Sequence, residues 1–160
     1  MAILTAIVGA IVGALATYLV RRRSEKFAAT IQQFQIYHSD KMVDARTTAW
    51  DYLQSDEFRK NPKPLDWFYE REGLAEKNVA YKAIVQVLYF WYLLSVLHAQ
   101  GEIVPNLARQ LLSYQFAGWK VALAPLLEET ARSGKDKPEC LVLLDKPGEA
   151  GAMGWIQDRY

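Results

Sequence analysis

From Ala2 to Val20 the chain carries no charged side chain, and three arginines follow at once, Arg21, Arg22 and Arg23. Nine of those first apolar positions are Ile, Leu or Val. As a helix rising about 1.5 Å per residue the run spans roughly 28 Å, close to the hydrocarbon thickness of a bilayer. Its aliphatic side chains favour insertion by roughly 3–5 kcal/mol, whereas moving a single arginine to the bilayer centre costs roughly 3 kcal/mol. The arginine block therefore reads as a stop at the interface. An export signal has the opposite order, with positive charge before the apolar run and a small-residue cleavage site after it. The pattern predicts a permanent transmembrane helix over residues 1–20, with the N-terminus outside and everything from Arg21 onward in the cytoplasm.

Within that run Thr5, Gly9, Gly13 and Thr17 recur every fourth residue. Small residues at this spacing form a groove in which another helix backbone can lie close. The expectation is self-association or packing on a partner span; the plainer alternative is an unpaired helix. Arg21, Arg22, Arg23 and Lys26 form a basic collar at the membrane interface. Near an anionic leaflet each contributes about 1 kcal/mol. The plainer reading of the collar is a topology signal with no headgroup specificity.

No glycine or proline occurs between Gly13 and Pro62. Apolar or semi-apolar positions continue at Phe27, Ile31, Phe34, His38, Met42, Ala45, Ala49 and Leu53, while Asp40, Asp44, Thr47, Asp51 and Ser55 mark the opposite side. Steps of three and four residues describe one helix face. This predicts a stalk that runs on from the membrane as the first helix of a bundle, broken near His38-Ser39-Asp40 or continuous to about Phe58. Pro62 and Pro64 end it. A second helix is expected from about Ala75 to a glycine cap at Gly101, and a third from Pro105, kinked at Pro125 and closed by the stretch from Arg132 to Pro138. The tail, residues 134–160, is read as irregular, with Cys140 to Leu144 as an edge strand or a strap across the bundle.

The segment Ile84 to Ala99 is apolar enough to raise the question of a second span. Its sixteen residues fall short of the usual twenty or so, and it includes Gln86, Ser95 and His98. A buried core helix is the expectation. Four consecutive aromatics, Tyr89 to Tyr92, point around the whole helix, which suggests burial on every side and contact with another subunit.

Composition narrows the chemistry. Nineteen basic residues against eighteen acidic ones leave a net charge of +1, which argues against general binding of nucleic acid. A single cysteine, Cys140, excludes an internal disulfide and a multi-thiolate metal site. His38 and Arg46 interrupt the apolar stripe and are candidates for a buried polar site. The structural alternative places Arg46 on the Trp50 indole, paired with a carboxylate such as Glu128, and His38 in the core. Neither His38 nor His98 has a carboxylate at i+3 or i+4 that points along the same helix face, so a metal site is not expected. No phosphate loop, nucleophile elbow, H-E-x-x-H stretch or Arg-x4–6-His pair is present, so no catalytic residue, metal or cofactor is assigned.

The stretch from Leu88 to Arg132, with Phe90, Gly101, Ile103, Trp119 and Pro125, resembles a family of single-span bacterial proteins known only as a domain of unknown function. The stretch Ala45 to Leu53 carries a second likeness to it. The layout is also similar to that of small membrane accessory proteins of RNA-targeting CRISPR systems, whose subunits assemble into pores. The resemblance implies a bacterial inner-membrane location. The combined expectation is an all-α protein, with a transmembrane helix continuing into a small cytoplasmic bundle over residues 21–133. It is expected to bind the lipid bilayer and either copies of itself or a protein of a membrane complex. An oligomeric pore in antiphage defence and a membrane-tethered hydrolase using carboxylates near His38 are the alternatives.

Overall fold

A computed structural model describes the backbone of residues 2–64, 75–133 and 154–157, and the side chains of residues 10–64, 79–133, 155 and 156. Among these residues the chain is all helical. The elements are α1 (Ala2–Tyr37), α2 (Asp40–Gln54), α3 (Asp56–Lys60), α4 (Ala75–Ala99), α5 (Pro105–Arg132) and α6 (Gly154–Gln157). The apolar run at 140–144 lies outside the described residues.

The α1 helix passes through the arginine block without interruption, 36 residues or about 54 Å long. It stops at His38-Ser39, where Ser39 takes an extended backbone (φ −68°, ψ 149°) and its hydroxyl donates back to Ile36 O at 2.7 Å. The Ser39 carbonyl accepts from Met42 N and Val43 N and so opens α2. A second stop follows at Ser55, whose hydroxyl accepts from Phe58 N and caps α3. The break expected near His38-Ser39-Asp40 is present, and with the stop at Ser55 it divides the run to Phe58 into three helices.

The first stop changes which residues are inside. Beyond it the expected stripe is correct: Met42, Ala45, Ala49 and Leu53 are buried, and Asp40, Asp44, Thr47 and Asp51 face solvent. Before it the stripe is one residue out. Thr30, Gln33 and Tyr37 are buried, whereas Phe27 and His38 are exposed and Ile31 and Phe34 half-buried. Two helices joined by an extended residue need not share a phase, so a periodicity carried across the junction misplaces one of them.

The α4 helix is the centre of the core, with Ile84, Val87, Leu88, Trp91 and Leu94 fully buried, and it packs chiefly on α2. Its segment Val79–Ala99 is long and apolar enough to cross a membrane, and half of it is buried inside the bundle. The described residues bury only part of the aromatic run Tyr89 to Tyr92. Phe90 and Trp91 are inside, Tyr92 is half-buried and Tyr89 is 60% exposed, on the one stripe of α4 that the described residues leave open.

Gly101 ends α4 as expected, at φ 68°, a backbone conformation that costs a residue with a Cβ about 1–2 kcal/mol. Glu102 N donates to Leu97 O and Gly101 N to His98 O, both at 2.9 Å, the paired bonds of a Schellman cap. Pro105 then occupies the first turn of α5. That helix continues through Pro125, which leaves the Val121 carbonyl without its intrahelical donor; Val121 is on the solvent side, where water can serve instead. The tail is not wholly irregular: α6 packs against α5 and buries Ile156 completely.

Candidate membrane-interface site

The turn between α4 and α5 docks on α1 one to two helical turns past the arginines. Thr30 is the anchor. Its hydroxyl donates to Lys26 O at 2.8 Å and accepts from Val104 N at 2.9 Å, so the turn's amide is satisfied by a side chain of the stalk. This contact brings the open end of the bundle up to the basic collar and divides the collar into two flanks.

On one flank the charges are matched. Arg21 Nε donates to Glu25 at 2.8 Å, and Arg22 donates to the Tyr18 hydroxyl at 3.0 Å while its guanidinium lies 3.9 Å from Glu102. The Tyr18 hydrogen bond and the nearby Glu102 carboxylate hold the Arg22 pKa above its ordinary value. These side chains line a cleft of about 390 Å³. All are exposed, so the pairs orient the collar more than they stabilise the fold.

The other flank is different. A larger cleft of about 660 Å³ lies between α1 and the start of α5, with Val20, Phe27, Val104 and Leu107 as its apolar wall. Arg23, Ser24, Asn106 and Gln110 supply its polar groups. Arg23 has no ion-pair partner among the described residues, and Phe27 is 54% exposed.

The tail closes the same end of the bundle. Arg109, in the first turns of α5, donates from Nε (3.0 Å) and Nη2 (2.8 Å) to Trp155 O. The Trp155 ring stacks on His98 of α4, with centroids 4.0 Å apart and planes 5° from parallel. Burial, and secondarily the Arg109 charge, lower the His98 pKa below its ordinary value. Sequence reasoning missed this cluster, since Arg109 and Trp155 signal nothing by spacing.

Of the two residues expected to form a buried polar site, His38 is exposed, against the rings of Phe34 (4.3 Å) and Tyr37 (5.4 Å). Arg46 is half-buried and stacks on Tyr37, its guanidinium carbon 4.0 Å from the ring centroid, rather than on Trp50. Among the described residues no carboxylate, Glu128 included, pairs with it, and its Nε is buried without a hydrogen-bond partner. The break at Ser39 explains both corrections, because it turns Tyr37 inward beneath Arg46 and His38 outward. The structure therefore brings His38 and Arg46 to the same ring without making a polar pocket of them. Among the described residues no group of three or more His, Cys, Asp or Glu side chains is arranged to hold a metal ion.

In the small-residue groove the Thr17 hydroxyl donates to Gly13 O at 2.9 Å, and a Cβ built on Gly13 meets nothing within 4 Å. The side chains at Thr5 and Gly9 lie outside the described set. Every side chain from Ala10 to Val20 is exposed. Comparison with known protein families, curated proteins and solved structures finds no match for this chain.

Proposed function

We propose that the chain is a single-pass membrane protein, anchored through residues 1–20, whose helical bundle lies on the arginine side of the bilayer and binds copies of itself or another protein. The observation that carries this reading is the exposed apolar run over residues 10–20 of α1. Ile11, Val12, Leu15, Tyr18, Leu19 and Val20 are all more than half exposed. Burying a large apolar side chain fully is worth about 1.5–3 kcal/mol, so a helix of this composition left in water forfeits a large stabilisation that lipid would supply. The contrast with α4 supports assigning the span to α1. Half of the apolar α4 segment is already inside the bundle, and withdrawing it into lipid would dismantle the core around Trp91.

The positive collar supports a cytoplasmic position for the bundle. The open surface at Gly13 supports a role for the groove in helix association, since nothing in the described chain fills it. His38 and Arg46, engaged with aromatic rings rather than with carboxylates, favour an interaction protein over an enzyme. The test is the mass of the full chain in native nanodiscs. A multiple of the chain mass that falls to one chain in the Gly9→Leu, Gly13→Leu double variant supports association through the span. An unchanged multiple moves the interface to the bundle. Release of the wild-type chain from membranes by alkaline carbonate overturns the anchor itself.

A further inference from the structure

We propose that the cleft between α1 and the start of α5 is a binding site for one anionic phospholipid, held by Arg23. This rests on the membrane-anchored reading. Three observations converge on it. First, the charges are unequal: Arg21 and Arg22 have carboxylate partners in Glu25 and Glu102, whereas Arg23 faces a cleft that offers it none among the described residues. A guanidinium with its donors unspent, in a cleft that Gln110 also lines, complements a phosphate diester.

Second, the cleft is two-sided in the manner of a lipid. Val20, Phe27, Val104 and Leu107 line it with apolar surface beside the cationic group. Phe27 and Val20 are largely exposed there, which an acyl chain and glycerol backbone would relieve. A free small anion would use the charge and leave that wall bare.

Third, the depth is right. Val20 is the last apolar residue of the span, and Phe27 lies about 10 Å further along the helix. The cleft therefore opens from the edge of the hydrocarbon across the headgroup layer, which is about 5–8 Å thick on each side. Its other wall is the α4–α5 turn held by Thr30, so a bound lipid would touch stalk and bundle together.

The experiment has two readouts on the full chain. Flotation with phosphatidylcholine vesicles reports the anchor alone. Native mass spectrometry in neutral detergent, with added phosphatidylglycerol or phosphatidylcholine of the same acyl chains, reports the cleft. The expected result is a one-to-one phosphatidylglycerol adduct that survives activation. Arg23→Gln should weaken it about tenfold, the loss of one charge-assisted hydrogen-bonding group, while Arg21→Gln leaves it nearly unchanged. Flotation with equal retention of the two lipids, or equal loss in the two arginine variants, overturns the cleft and leaves the anchor standing. Displacement of the adduct by free glycerol phosphate overturns the lipid as occupant. Failure to float overturns the anchor as well.

Discussion

The indole Nε1 of Trp119 donates a buried hydrogen bond of 3.0 Å to the hydroxyl of Tyr37 and so ties α5 to the last residue of α1. Tyr37 is a hub. Its ring lies 5.0 Å from Phe90 and 5.5 Å from Trp91, and carries the Arg46 guanidinium on its face. One side chain thereby joins the stalk to three helices of the bundle. The position that terminates the stalk is also the position that fixes it.

Tyr37→Phe keeps the ring, the aromatic contacts and the surface beneath Arg46, and removes only the acceptor for Trp119. An unsatisfied buried donor costs about 1–3 kcal/mol, and that loss is expected in urea unfolding of the full chain in neutral detergent. Trp119→Phe alone also loses volume. The double variant should be less destabilised than the sum of the two, by about 1 kcal/mol, because the orphaned donor is gone. Strict additivity would show that the bond contributes nothing.

Much of this architecture is legible in residue types. Pro62, Gly101 and Pro105 mark real helix limits, and the stripe from Met42 to Leu53 is the buried face of α2. What the pattern hides are features fixed by partners far away in the chain. Thr30 looks out of place in a core, and its burial makes sense only with Val104, 74 residues on. The basic collar is visible as a block, but its division into a paired and an unpaired flank depends on Glu102 arriving from another turn. Trp155 is anchored by Arg109, 46 residues away, through its own backbone carbonyl, which carries no trace in residue type.

Thr30→Val is nearly isosteric and deletes the acceptor for Val104 N–H. Because Thr30 is 1% exposed, water cannot replace the hydroxyl. The expected cost is about 1–3 kcal/mol. It should be local: hydrogen exchange at Val104 accelerates while amides of the α4 centre keep their protection. Thr30→Ser retains the hydroxyl and should restore most of the protection at Val104. Unchanged exchange in Thr30→Val would remove Thr30 as the docking anchor.

Gly101→Ala tests backbone strain apart from crowding. A Cβ at this position would meet only Lys26 Nζ, at 3.9 Å, an ordinary contact. The cost is therefore conformational, about 1–2 kcal/mol for a residue with a Cβ at positive φ. Gly101→Asn should lose less, since asparagine tolerates this region better. Denaturant midpoints that place Asn between Gly and Ala support the argument. A Gly101→Ala chain as stable as the parent contradicts it.

The α6 segment, which straps the tail to α5, should loosen on acidification. Burial and Arg109 lower the His98 pKa below its ordinary 6.5, so the docked state takes up a proton less readily than the undocked one. By linkage the stabilisation from neutral His98 is complete above about pH 6.5 and is lost as pH falls through the lower docked value. Charging His98 would place a second cation near Arg109, whose two hydrogen bonds hold the Trp155 carbonyl. Trp155 Nε1 is buried without a partner, so among the described residues the stack and those two bonds are the polar and aromatic restraints on the strap. Fluorine NMR of 5-fluorotryptophan, with the Trp155 signal assigned by Trp155→Phe, should show that signal moving to an undocked position below about pH 6.5. His98→Phe keeps a stacking ring that cannot titrate and should flatten the profile. Arg109→Met should undock the strap at every pH. The same acid transition in His98→Phe as in the parent would assign the loosening to another group.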